Sequence, residues 1–267
     1  RICLDRPAII VILNITPDSF SDGGRWLGKN EAIEHALLMQ EEGAHIIDVG
    51  GESNRPGAPH VPLLQELDRV IPVIEAIVPQ LSVPVSIDTS KPQVMRAAVA
   101  AGAGLINDVC ALGQDGALQA AADLAVPVCL MHMLGNPRVM QQDPVYENVV
   151  DDVHDFLFDR VQACRDHGIM DQNILLDPGF GFGKTLEQNI ALFKSLPLLA
   201  SEGYPLLVGV SRKSMIGQLT GRDMPDRVTG SVVAAAMAIQ LGAAIVRVHD
   251  VAETRDALKV ATALLPA

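Results

Sequence analysis

The sequence predicts an α/β chain folded as a (β/α)8 TIM barrel, one domain over residues 1–267, with its site at the carboxyl ends of the strands. Three observations carry this. Eight short apolar runs recur, at 8–13, 45–49, 83–87, 104–106, 126–131, 173–176, 206–210 and 244–246. Their continuous Val, Ile and Leu content suits strands buried on both faces, as in a parallel sheet. Each run is followed or closed by a group that can do chemistry: Asn14, Asp48, Asp88, Asn107, His132, Asp177, Ser211 with Arg212 and Lys213, and Arg247 with His249. A barrel enzyme needs such groups there, because its site is built from the βα loops. The length, 267 residues, matches the roughly 250 of a single barrel. A doubly wound open sheet uses the same elements and stands as the alternative.

Helical patterns alternate with the runs. Asn30 reads as an N-cap for a helix over 31–42 that Gly43 stops. The next helix covers 63–78 and is interrupted by Pro72. Ser90, Lys91 and Pro92 open another through 101, with Pro92 at the first helical position and Gly102 as its stop. Further helices are expected over 115–124, 145–167, 186–196, 214–219, 226–241 and 252–265. Two connections, 16–29 and 50–62, exceed what the barrel requires. Long glycine-bearing loops on an α/β scaffold are often substrate lids.

The net charge of −12 argues against nonspecific nucleic-acid binding, which needs a basic surface. Aromatic residues make up 3%, too few for a stacking platform. The four cysteines, Cys3, Cys110, Cys129 and Cys164, form no CxxC pair and read as reduced thiols of a cytoplasmic protein. The apolar stretch 232–246 holds Gln240 and Gly242 and is too short to span a bilayer. No signal-peptide pattern is visible, so no membrane partner is expected.

Several motifs point to one pocket. Asn14 leads a loop carrying Asp18, Phe20 and Asp22, and its amide oxygen suits a hard cation such as Mg²⁺. Asp48 leads Gly50-Gly51-Glu52-Ser53-Asn54-Arg55-Pro56-Gly57, where glycines admit a ligand close to the backbone. Asp88, Asn107 and Asp177 close strands three, four and six. Carboxylates and an amide facing one cavity would recognise a planar, nitrogen-rich heterocycle, although Asp88, Thr89 or Ser90 also suits a helix cap. Gly183-Lys184-Thr185 resembles the end of a P-loop, but the required first glycine falls on Pro178. That segment reads instead as a glycine-rich loop that lays Phe182 against a flat ligand. Arg247 and His249 share one side of their strand by the period of two. With Arg55 they suit a diphosphate, and the loops after strands seven and eight are the common phosphate site of barrels.

These motifs occur in order from Asn14 to Asp250 and together resemble the bacterial dihydropteroate synthases of folate synthesis. The resemblance implies condensation of a (7,8-dihydropterin-6-yl)methyl diphosphate with 4-aminobenzoate, inhibition by sulfonamides, a Mg²⁺ cofactor and a homodimer formed through helices around 231–241. It assigns the pterin to Asp88, Asn107, Asp177 and Lys213, with Met131, Phe182 and Gly209 lining the pocket. The diphosphate falls to Asn14, Arg55, Arg247 and His249, with Asn14 on the metal. The 4-aminobenzoate site is Phe20, Asn54, Pro56 and Ser211. Lys213, Asp18, Asp22, Arg247 and His249 would act in catalysis, the two aspartates by stabilising a pterin-methyl cation. Loss of Arg247 or His249 should then spare binding of a free pterin. Asn54 stands where the family usually has Thr. Two other readings remain open at this level: a pterin-binding methyltransferase, and a pterin binder without turnover.

Overall fold

Residues 4–15, 24–54, 57–135 and 144–264 are described by a computed structural model. The strands are β1 (Ala8–Asn14), β2 (Ile46–Gly50), β3 (Val85–Asp88), β4 (Leu105–Asp108), β5 (Val128–Met131), β6 (Ile174–Asp177), β7 (Leu207–Val208) and β8 (Ile245–Val248). All pair in parallel in the order β6-β5-β4-β3-β2-β1-β8-β7. A bridge between Leu176 and Leu206 brings β6 to β7, so the sheet returns on itself. This nearly closed ring excludes the open doubly wound alternative.

Among the described residues ten α-helices lie between and around the strands: α1 (Gly24–Glu42), α2 (Leu63–Ile77), α3 (Pro92–Ala100), α4 (Ala117–Leu124), α5 (Val149–Asp166), α6 (Leu186–Lys194), α7 (Leu196–Ala200), α8 (Ser214–Thr220), α9 (Val228–Gln240) and α10 (Val251–Leu264). Several expectations change: α2 runs unbroken through Pro72 rather than being interrupted there, and α5 starts at Val149 rather than at 145, with Asn148 as its N-cap. The first helix begins at Gly24 rather than at 31, so Asn30 lies inside it and the end of the expected 16–29 loop is helical. Gly24 and Gly28 read as loop punctuation, yet a glycine costs a helix only about 1 kcal/mol, and Arg25, Leu27 and Lys29 are good helix formers. The helix expected over 186–196 breaks at Ser195 into α6 and α7. Pro197 has no N–H to continue the ladder and restricts the residue before it.

The strands divide the core in two. Ala8, Ile10, Ile46, Leu105, Cys129, Leu175, Leu207 and Ile245 form one buried cluster inside the barrel. Their neighbours of opposite parity, such as Ile9, Val11, Ile47, Ile106, Val128, Leu176 and Val246, pack outward with the helices. Side chains alternate along a strand, so stepping two residues from each inner apolar position leads back to the barrel axis. Those steps reach Asp48, Asn107, Met131, Asp177, Gly209 and Arg247. Ser86 precedes Asp88 on the same parity, and His249 follows Arg247. The barrel is therefore apolar at its amino end and polar at its carboxyl end.

Candidate active site

Asp48 is the centre of the polar layer. It is fully buried, and its Oδ2 accepts from Nε of Arg247 at 2.8 Å and Nδ2 of Asn107 at 3.0 Å. Its Oδ1 accepts from the Ser86 hydroxyl at 2.6 Å. Arg247 also donates to Oδ2 of Asp88 at 2.7 Å, while Nδ2 of Asn54 donates to Oδ1 of Asp88 at 3.1 Å. One chain of hydrogen bonds thus joins strands two, three, four and eight and reaches the loop after β2. Asn14 and Asp88 flank Gly50. A Cβ there would stand 3.6 Å from the Asp88 Cβ and 3.8 Å from Oδ1 of Asn14.

Lys213 closes the opposite side. Its ammonium donates to the Phe180 carbonyl and stands 4.5 Å from the centre of the Phe182 ring, a cation–π contact. Asp177 accepts the Gly179 N–H at 2.7 Å and lies in register with Met131. Gly209 opens the floor between the two cations. A Cβ there would stand 3.7 Å from the Arg247 Cβ and 3.8 Å from Nζ of Lys213. At the rim, the Ser211 hydroxyl accepts the backbone N–H of His249 at 3.3 Å and lies 3.0 Å from its Nδ1. The hydroxyl proton is then directed to Nδ1, an assignment that places the imidazole proton on Nε2.

Three carboxylates face two cations in this layer, and burial shifts Asp88, Asp177 and Lys213. Burial pushes Asp88 up to about 7 against the pull of Arg247, with the charge of Asp48 adding to the rise. Burial also raises Asp177, which Lys213 holds down in part. Lys213 is brought down to about 8 by burial, with Asp177 opposing and Arg247 adding to the fall. Such shifts in a pocket mark groups poised for recognition or catalysis.

A family model for pterin binding enzymes matches residues 10–249. Dihydropteroate synthase of Escherichia coli strain K12 is 50% identical over 264 residues, covering 99% of this chain and 94% of that protein. The chain belongs to the dihydropteroate synthase family. It is accordingly a transferase. A solved dihydropteroate synthase of Xanthomonas albilineans with 4-aminobenzoic acid is 54% identical and superimposes with a TM-score of 0.93, covering 99% of this chain and 96% of that one. A Yersinia pestis dihydropteroate synthase in complex with a sulfonamide drug is 48% identical, with a TM-score of 0.93 over 98% of this chain and 95% of that one.

Against that family background the expected residues sort clearly. Asp88, Asn107, Met131, Asp177, Gly209 and Arg247 share the inward parity, and Asn54, Phe182 and Lys213 reach the same layer from loops. Ser211 and His249 form a pair of their own. Asp18, Phe20, Asp22, Arg55 and Pro56 lie outside the described residues. Asp108, the neighbour of Asn107, points outward: it accepts from the Ser90 hydroxyl and from the backbone N–H groups of Cys110 and Leu112, both at 2.8 Å. Nor does Asp88 cap α3, whose first residue is Pro92 and whose N-cap Lys91 makes no side-chain cap.

Sequence reasoning gave Asp48 no role. The available signal was parity, since Asp48 stands two residues beyond the inner residue Ile46. It also missed the tether of the 50–62 loop. Lys91 binds both Glu52 and the fully buried Glu66, while Glu52 accepts the Val61 N–H at 3.1 Å. The loop carrying Asn54 is therefore fixed at its base to α2 and α3.

Proposed function

We propose that the enzyme joins (7,8-dihydropterin-6-yl)methyl diphosphate to 4-aminobenzoate, giving 7,8-dihydropteroate and diphosphate. The observation that carries this reading is the inward ring of Asp88, Asn107, Asp177, Lys213 and Arg247 at the pocket floor. A pterin offers amino and ring N–H donors beside oxo and ring-nitrogen acceptors. Carboxylates at Asp88 and Asp177 take the donors, and Asn107 and Lys213 can give to the acceptors. Buried polar groups of this kind discriminate strongly, because a wrong ligand leaves them unpaired. Phe182, with Met131, supplies the flat apolar wall. Asn54, Ser211, Phe20 and Pro56 border the 4-aminobenzoate, where a sulfonamide would compete.

Bond breaking comes first in this proposal. The C–O bond opens, its electron pair leaves with the diphosphate, and the positive carbon is delocalised into the electron-rich pterin ring. The guanidinium groups of Arg55 and Arg247 and the Nε2–H of His249 stabilise charge on the departing oxygens. Asp18 and Asp22 stabilise the pterin-methyl cation. The amine lone pair of 4-aminobenzoate then forms the new C–N bond from a preset position, and the nitrogen releases its extra proton to solvent. No enzyme nucleophile is required.

Mg²⁺ fits the donors present. Among the described residues no group of three or more His, Cys, Asp and Glu side chains forms a metal cage. Mg²⁺ needs none, because it is usually held by one or two protein oxygens together with substrate phosphates and water. Asn14 offers such an oxygen beside Asp88. When bound there, Mg²⁺ supplies positive charge to the leaving diphosphate.

The test is diphosphate release with Mg²⁺, with and without 4-aminobenzoate. Release matched by dihydropteroate and blocked by a sulfonamide supports the reading. Tight pterin binding with no release under any condition points to the methyltransferase or to a binder without turnover.

The pocket titrations give a signed prediction. Asp88 accepts pterin donors only once ionised, near pH 7, and Lys213 donates as an ammonium only below about 8. Binding of a free pterin, which has no phosphate to titrate, should rise through about pH 7 and fall above about pH 8. A flat profile between about pH 6 and 9 would remove both groups from recognition. Asn54→Thr replaces the amide that bonds Asp88. It should change KM for 4-aminobenzoate and the sulfonamide inhibition constant by about three- to tenfold while kcat changes little. Unchanged constants would detach position 54 from that site.

Two coarser properties belong to the same reading. Val233 and Met237 on α9 and Val260 and Leu264 on α10 are exposed apolar residues on packed helices, which supports a homodimer through this face. Sedimentation should give twice the chain mass, and Met237→Glu should give the monomer. A monomeric wild type would sink this. Free thiols at Cys110, Cys129 and Cys164 support a cytoplasmic location. No described helix is long and apolar enough to cross a membrane.

A further inference from the structure

Lys184 takes no part in the chemistry above, yet it is only 3% exposed. It lies beneath the glycine-rich loop after β6. Its ammonium meets three acceptors: the carbonyls of Gly179 at 2.9 Å and Phe182 at 3.2 Å, and Nδ1 of His132 at 2.9 Å. Burial brings Lys184 down to about 7, so below that pH its ammonium has three N–H groups, and donors and acceptors match in number. With Nδ1 accepting, the His132 proton is assigned to Nε2. Burial, aided by the charge of Lys184, pushes His132 down to about 3, so the ring stays neutral at working pH.

His132 is itself held firmly. Its ring centre stands 5.0 Å from Phe156, edge to face, and 6.0 Å from Tyr146. Tyr146 donates its hydroxyl to the Gly183 carbonyl at 2.7 Å, the far end of the same loop. The near end presses directly on β5. Gly179 has φ +69°, and a Cβ there would stand 1.8 Å from the His132 carbonyl oxygen. Gly181 and Gly183 also have positive φ. Such a backbone loses much freedom on ordering and needs fixed partners to hold one conformation.

The loop carries two features of the pterin pocket. Phe180 turns into the core beside Phe193, and its carbonyl receives Lys213. Phe182 stands against the same ammonium from the pocket side. We propose that Lys184 is a positioning residue, a buried strut that ties the Gly179 and Phe182 carbonyls to His132 and so sets Phe182 and the Phe180 carbonyl against Lys213. The inference rests on the assignment of this pocket to the pterin.

The test compares Lys184→Met, which keeps much of the stem and loses every donor, with His132→Leu and His132→Asn. Asn keeps an acceptor near the position of Nδ1, and Leu does not. Binding of a free 6-hydroxymethyl pterin and KM for the pterin diphosphate should weaken by about tenfold in Lys184→Met and His132→Leu. KM for 4-aminobenzoate should hold, and kcat should fall less than KM rises. His132→Asn should recover most of the affinity that His132→Leu loses. A folded Lys184→Met enzyme with wild-type pterin affinity overturns the proposal. So does equal loss in His132→Asn and His132→Leu, which decides the matter if Lys184→Met does not fold. A wild type with no affinity for the pterin would overturn the pocket assignment and the strut's role with it, whereas binding wild type and unaffected variants would overturn the strut alone.

Discussion

Asp48→Ala should lower kcat/KM for the pterin diphosphate by at least about a hundredfold, ~2.7 kcal/mol of transition-state stabilisation. Asp48 is the shared acceptor of Arg247 and Asn107. Its removal frees both from their present geometry and leaves the partly buried Arg247 with Asp88 as its remaining carboxylate partner. Removing one partner of a fully buried ion pair destabilises by about 3–5 kcal/mol, so with Arg247 partly exposed urea unfolding should show a loss toward the lower end of that range. Asp48→Asn separates charge from geometry. The amide oxygen can still accept from Arg247 and Asn107, and the Ser86 hydroxyl can turn to accept. Most of the stability should return. Asp88 loses the like charge that helps raise it, so pterin binding should then set in below about pH 7. An Asp48→Ala enzyme within threefold of wild type, an allowance well inside the effect of one buried hydrogen bond, would dismiss Asp48 as organiser.

Arg247→Met should have a still larger effect, about a thousandfold in kcat/KM. Two buried carboxylates, Asp48 and Asp88, are held apart in charge by this guanidinium. Without it their repulsion favours a proton between them, and Asp88 moves above its present value of about 7. The onset of pterin binding should move to higher pH in step. Arg247→Lys keeps a charge but cannot span both carboxylates as the planar fork does, so it should restore less than tenfold. The hydrogen bond to Asp88 changes one expectation taken from the motifs. Loss of Arg247 should weaken binding of a free pterin as well as of the diphosphate, while His249→Ala should spare it. Free-pterin binding by both variants, measured from about pH 6 to 9, decides this. Unaltered affinity in Arg247→Met would return the arginine to the diphosphate alone.

Much of this architecture was legible in the chain. The barrel follows from eight apolar runs closed by polar residues, and the inner side chains follow from parity. Asp88, Asn107 and Asp177 were therefore visible as one group, and Arg247 with His249 as another, before any contact was known. Asp48 was visible as a strand end but not as an anchor, because an acceptor shared by residues 107 and 247 depends on register between distant strands. Lys184 was set aside with a failed phosphate-loop pattern. Its partners are two carbonyls of its own loop and a histidine at the end of β5, and no spacing rule encodes them. Helix ends were the weakest part: glycines at 24 and 28 read as loop yet are helical, since the cost of each is small against the hydrogen bonds gained.

The sequence by itself determined the strand order of polar groups, the face each one takes and the heterocycle-plus-anion character of the pocket, because alternation along a strand is a local property of the backbone. Only the tertiary structure decided which of those groups bond to one another. Arg247 is shared between Asp48 and Asp88, Lys213 is set by a carbonyl and a ring from the loop after β6, and burial moves Asp88 and Lys213 toward neutrality. Those outcomes depend on distance and desolvation, which arise only when strands far apart in the chain close into one ring.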